Sequence, residues 1–346
     1  MRIRNGIVET LAVILFLCLQ SGSAQDRPMT AEADLVKELE LAVAKGGYEE
    51  GVAMLKQKVE AEPLNPAARF FLATAYQAKG ANSACIEEVR AAERLEIIDD
   101  RLLGILWMCL YESGREPEAL KTAAQAVARF PGSGESHRWY GVSLLDENKD
   151  AEATSHFQKA IAIDPGDSAS LYMLAQLYRS RGYVVPSFLT YLRFFTVEPE
   201  GNRANKARAQ LLEMLKSELL IHFEDETKVV LQLSVGPDGP IDEGDFREAQ
   251  KRIAVYAAPN SRSPDLTPSK LEKTLQEVLK ALPDKGSVPE GSFILHVTAP
   301  FFAAAQDAGL SRGLADLVLM SGEPTAGAVD FLKWSTEYKW PSRKAE

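Results

Sequence analysis

Five stacked α-helical hairpins with a capping helix, followed by a small α+β domain, form the fold class that this sequence predicts. Three observations lead there. Gly46, Gly80, Gly114 and Gly182 stand 34, 34 and 68 residues apart. The place midway in the last interval holds Asn148, the residue that best imitates glycine at positive φ. Pro63, Pro131, Pro165 and Pro199 repeat the period at 68, 34 and 34 residues, with Ile97 in the gap. After Leu220 the period stops. Residues 229–235 then alternate, with Val229, Leu231, Leu233 and Val235 on one face and Gln232 and Ser234 on the other. That is the pattern of a half-buried strand.

Taken in order, the chain opens with Arg2 and Arg4, an apolar run over residues 11–19, and then Ser21, Gly22, Ser23 and Ala24. This is the pattern of a secretory signal peptide, residues 1–24, whose removal leaves a mature chain starting near Gln25 or Asp26. An uncut anchor is the alternative, but the apolar run is well short of the roughly 20 residues that span a bilayer. No later segment is apolar for long enough to cross a membrane.

The helical array is expected over residues 32–201. In the unit 134–167, Trp139, Tyr140, Leu144 and Leu145 make an apolar stripe at helical spacing. Asn148 and Asp150 break it. Ala153, Phe157, Ala160 and Ile161 form a second stripe, which Pro165 ends. One hairpin buries only one face against itself, so copies must stack. Residues 204–220 are amphipathic, through Leu211, Leu212, Met214, Leu215 and Leu219, and read as the capping helix. The array domain therefore covers 32–220.

These residues resemble the tetratricopeptide repeat family. Ala73, Gly141 and Ala175 occupy its small slot, Tyr76 and Tyr178 its tyrosine slot, Ala119 and Ala153 its alanine slot, and Phe157 and Tyr191 its aromatic slot. Tyr48, Glu49, Glu50 and Gly51 resemble its second-helix opening. Trp107 departs from the pattern by filling a small slot, with Ala123 replacing the aromatic across from it. That exchange conserves volume and places Trp107 in the core. The resemblance implies a right-handed superhelix with an inner groove that binds a protein or peptide. Its floor would carry Phe70, Thr74, Gln77, Met108, Tyr111, Glu112, Arg138, Val142, Tyr172, Gln176 and Arg179. Exposed aromatics and arginines are common anchors of partners. The lysines and asparagines of carboxylate-clamping members of the family are replaced here, which puts that clamp in doubt.

The C-terminal domain, residues 221–346, is expected to follow its first strand with a turn over 236–240. A helix near 246–257 and a loop over 259–265 come next. Thr267 and Pro268 then cap a helix running to Leu282. A second strand is expected at 293–298, with helices from Pro300 to near Tyr338. The run Trp334, Tyr338 and Trp340 has the makings of an aromatic binding platform, but the spacing by four makes the first two a packing pair more readily.

Chemistry is hard to find. The formal charge of −10, from 39 basic and 49 acidic residues, disfavours nucleic acid and flat binding to anionic lipid. His137, His156, His222 and His296 are scattered, and no metal or cofactor motif is present, so no cofactor is expected. His296, on the expected second strand, reads as a solvated or hydrogen-bonded strand histidine ahead of a catalytic base. Asp238, Asp242, Glu243 and Asp245 read as an acidic turn ahead of a calcium site. Once residues 1–24 are removed, only Cys85 and Cys109 remain. They fall on helices that are neighbours in a stacked array, so a disulfide and two small buried thiols are both open. The expectation is an exported, periplasmic or secreted, interaction scaffold. The alternative is an envelope enzyme whose C-terminal domain is catalytic and whose repeats recruit substrate.

Overall fold

The computed structural model describes residues 29–217, 219–223, 229–233, 246–257, 266–283, 292–320 and 322–340. The signal segment and the acidic turn lie outside the described residues. Ten helices make the hairpins: α1 Met29–Gly46, α2 Tyr48–Ala61, α3 Pro66–Ala78, α4 Asn82–Arg94, α5 Asp100–Glu112, α6 Glu116–Arg129, α7 Gly134–Asp146, α8 Asp150–Ile163, α9 Ser168–Ser180 and α10 Val184–Val197. Contacts divide the chain into two compact units, one up to Ser143 and one from Leu144. In the first, α2 packs on α3, α4 on α5, and α3 on α5. In the second, α9 packs on α8 and α10, and α10 on helix α11, Asn202–Ser217.

The periodic residues do the work that their spacing implied. Gly80, Gly114, Asn148 and Gly182 have φ of 73°, 68°, 57° and 76°. After each, the next N–H reaches back five residues: Ala81 to Tyr76, Arg115 to Leu110, Lys149 to Leu144, and Tyr183 to Tyr178, at 2.8–3.0 Å. That closure satisfies carbonyls that a helix end leaves unpaired. The first turn differs. Gly47, not Gly46, takes a positive φ, 73° with ψ −153°, and its N–H bonds Val43 O at 2.8 Å, a one-bond closure.

Each array proline ends a second helix two residues after its last turn. The preceding residues Glu62, Phe130, Asp164 and Glu198 are driven to φ between −122° and −131°, because a proline ring excludes the helical conformation before it. Where proline is missing, Glu96 takes φ 58° and Ile97 N–H returns to Ala92 O at 3.0 Å. A left-handed cap there replaces the proline stop.

A third periodic mark escaped the sequence reading. Asn65, Asp99, Ser133 and Asp167, each 34 apart, cap the first helices of successive hairpins. Their side-chain oxygens accept from Ala68, Arg101, Ser136 and Ser170 N–H at 2.8–3.2 Å. The cue was the cap preference of Asn, Asp and Ser, diluted by the variety of residues that meet it.

The first unit is pinned covalently. Cys85 on α4 and Cys109 on α5, both fully buried, form a disulfide with Cα atoms 6.4 Å apart. Trp107 is 8% exposed, stacks at 5.1 Å on Tyr111 and 6.3 Å on Trp139, and donates its indole N–H to Ser143 Oγ at 2.8 Å.

Beyond α10 the expectations need correction. The capping helix stops at Ser217, and Leu219 belongs to strand β1, Leu219–Phe223, which pairs antiparallel with β2, Val229–Leu233. The expected second strand is instead a π-helical turn, Ile294–Thr298, continuing into the helix Ala299–Asp307. Phe293, Ile294, Leu295, Val297 and Thr298 are all buried, so the segment has no wet face of the kind that an alternating strand needs. Pro300 has no N–H to return to the preceding turn, and Ala299 N–H reaches Ile294 O, five residues back. The other elements among the described residues are helices: α12 Arg247–Ala257, α13 Pro268–Lys280, α14 Ala299–Asp307, α15 Ser311–Leu319 and α16 Ala326–Glu337. One two-stranded ladder, set among helices in the described residues, does not make the small α+β domain that was expected.

These helices cover the last repeat. α10 packs on α12, α15 and the π-helical turn as well as on α9, and all twelve of its residues from Val184 to Phe195 are buried. Gly313 on α15 sits so close to Gly327 on α16 that any Cβ would strike backbone. Among the described residues no helix is long and apolar enough to cross a membrane.

Candidate functional site

The stripes expected to floor the groove are largely seams between neighbouring first helices. In the first unit Phe70 and Thr74 are only 7% and 6% exposed. Phe70 lies 4.8 Å under the Arg101 guanidinium, and the Thr74 hydroxyl donates to Phe70 O at 2.8 Å. Neither is available as a floor. Gln77 donates to Glu112 Oε1 across the seam at 2.7 Å. Met108 and Val142 are half-buried, as is Tyr111, which stacks on Trp107. Arg138 pairs with Glu135 at 3.4 Å.

The second unit repeats the arrangement. Gln176 donates to Gln210 at 3.3 Å, and Arg179 to Glu213 at 3.0 Å. Tyr172, one turn before Gln176, is half-buried and tilts against Phe194 at 5.6 Å. It is a packing residue rather than an open anchor. Gln77, Trp107, Gln176 and Arg179 each reach a residue 34 to 36 positions later. These side chains thus stitch α3 to α5, α5 to α7 and α9 to α11. The sequence shows the stripe, but its occupant comes from the neighbouring repeat, outside any local window.

Two adjoining clefts open beside α9. One, of about 370 Å³, is lined by Leu145, Met173, Gln176, Leu177 and Ser180, with Asp150 and Arg181, which pair with each other. The second, of about 350 Å³, is lined by Gln176, Arg179, Ser180 and Gln210. Gln176 and Ser180 belong to both. The Arg179 pair is open to water, with the Glu213 side chain 66% exposed, so it is a weak, exchangeable contact. The clefts therefore place an apolar lining, two side-chain amides and an arginine fork side by side. Amides suit an extended backbone, and the fork suits a carboxylate.

Elsewhere, His296 lies on the π-helical turn rather than on a strand. Trp334 and Tyr338 pack together at 5.4 Å, and Tyr338 meets Trp340 at 4.9 Å.

An array of helical hairpins closed at a 34-residue period, with stitched first helices, defines a helical-repeat protein. Two tetratricopeptide repeat family models match the chain, at residues 110–168 and 156–183, so its middle is built of tetratricopeptide repeats. No family model matches the C-terminal part. No curated protein matches the chain. Similar solved structures include pilF of Pseudomonas aeruginosa, 21% identical, covering 54% of this chain and 83% of that one, with a TM-score of 0.47. The type IV pilus biogenesis factor PilW is 14% identical, covering 54% and 86%, with a TM-score of 0.46. A thermophilic tetratricopeptide repeat protein of Thermus thermophilus is 16% identical, covering 53% and 98%, with a TM-score of 0.43.

Proposed function

We propose that this protein is an exported interaction scaffold that holds a peptide or protein partner against the first helices of its repeats, with α9 at the centre of the site. The observation that carries the reading is the pair of clefts sharing Gln176 and Ser180. They combine an apolar lining with amide and guanidinium donors, and the Arg179 pair that borders them is exposed enough to be exchanged for a partner's carboxylate. Tetratricopeptide repeats in the middle of the chain support a binding role. Export is supported by the signal-like residues 1–24 and by the buried Cys85–Cys109 disulfide, a bond that persists in oxidising compartments.

Crosslinking the protein in its native envelope, then identifying the captured chain, supplies the partner. Affinity for that partner is then measured for Arg179→Ala and Gln176→Ala. Weakening by about 1–3 kcal/mol in either is expected if it is an anchor. Unchanged affinity in both moves the site away from α9. An intact Met1 on protein purified from its host, with free thiols at Cys85 and Cys109, overturns the export reading.

A further inference from the structure

We infer that residues 338–340 form a releasable strap, with Trp340 as the pin that couples the C-terminal helices to the last repeat hairpin. The inference does not depend on the binding reading above. It rests on where Trp340 sits and on what lies beneath it. Arg193, on α10, is fully buried, and its guanidinium carbon lies 3.5 Å from the centre of the Trp340 ring. Nη2 donates to Pro165 O at 3.2 Å, whereas Nε and Nη1 have no acceptor among the described residues. Burial pushes the pKa of this arginine down to about 9, which leaves it a cation at neutral pH. A buried cation so short of acceptors depends on the face of the indole for its compensation.

Trp340 is held by rings rather than by backbone. It stacks on Phe301 of α14 at 4.7 Å with planes 16° apart, and Tyr338 meets Phe301 edge-on at 5.1 Å. Helix α16 has ended by then: Tyr338 is extended, at φ −65° and ψ 126°. No backbone hydrogen bond outside the helices ties residues 338–340 to a neighbour among the described residues. Both Tyr338 and Trp340 remain partly open to water. An extended segment seated by side chains alone can lift as a unit without unwinding a helix. Lifting it uncovers Arg193 and removes one support of α10. Since α10 packs on α9, the opening is transmitted to the helix that carries Gln176 and Arg179.

Amide hydrogen exchange and limited chymotrypsin cleavage of the full chain test this with Trp340→Ala, Trp340→Phe and Arg193→Met. Trp340→Ala is expected to speed exchange at least tenfold at residues 184–197, with residues 29–129 unchanged. Trp340→Phe, which keeps a ring, should fall between it and the parent. Arg193→Met keeps length but removes the charge, so chymotrypsin should cleave after Tyr338 at least threefold faster while α10 stays protected. Protection of 184–197 unaltered in Trp340→Ala overturns the strap. Equal acceleration over 29–129 makes Trp340 ordinary core and overturns it too. If Trp340→Ala does not fold, Arg193→Met decides: unchanged cleavage after Tyr338 rejects the inference.

Discussion

At the scale of single residues, the decisive contacts are those that cross from one first helix to the next. Trp107 is the clearest. Its indole fills a slot that family resemblance reserves for a small residue, and it remains there because Ser143 accepts its N–H. Ser143→Ala should leave that buried donor without an acceptor and cost about 1–3 kcal/mol, read from the urea midpoint at constant slope. Tyr172 and Arg179 should separate in the same assay. Tyr172→Ala loses its packing on Phe194 and lowers stability by at least about 1 kcal/mol. Arg179→Ala breaks only an exposed pair and should stay within about 0.5 kcal/mol. Equal losses would place Arg179 in the core as well. The sequence made the stripe of Tyr172, Gln176 and Arg179 legible. It did not reveal how much of the stripe was free, because Gln210 and Glu213, which occupy two of its members, stand a full repeat away.

At the scale of elements, turn chemistry was the most readable part of the chain, because a residue at positive φ answers to local sterics alone. Asn148, at φ 57°, provides a test: Asn148→Gly should be nearly neutral, whereas Asn148→Ala should cost about 1 kcal/mol or more, seen as a lower thermal midpoint. Elements whose identity depends on what covers them were read less well. The run 293–298 alternates like a strand, yet burial on every side and the proline at position 300 make it a widened helical turn. Residues 219 and 220 continued an amphipathic pattern but joined a strand pair. Between elements, the Cys85–Cys109 bond closes a loop of 24 residues from one hairpin to the next. Replacing both cysteines by alanine should lower stability by about 2–4 kcal/mol. No difference between oxidised and reduced parent protein in the same melt would show that the bond adds nothing to the fold.

At the scale of the whole molecule, the helices after Ser217 are a cover for the array rather than an appended α+β body. A helix buried over twelve consecutive residues cannot be the solvent-facing end of anything, and α10 owes its burial partly to α12, α15 and the π-helical turn. A chain ended at Ser217 is therefore expected to bind a hydrophobic dye and to self-associate, whereas the full chain should do neither. A monomeric, dye-silent fragment would show that α11 alone suffices as a cap. The sequence hinted at this cover without disclosing it. The even hydrophobicity of Val184, Val185, Phe188, Leu189, Leu192, Phe194 and Phe195, with hardly a polar face, is unlike the amphipathic helices earlier in the chain.

The covered helix also bears on ancestry. Repeat arrays lengthen by tandem duplication, and a new unit is accepted only where the surface it meets matches that of its parent. The surface of α10 has been shaped to receive Trp340, α12, α15 and the π-helical turn, so a copy added after it would find no complementary face. Recombination that lengthens this protein should therefore leave its mark among the earlier units, where Asn, Asp or Ser caps, left-handed turns and proline stops recur in one phase and a 34-residue insertion preserves them all.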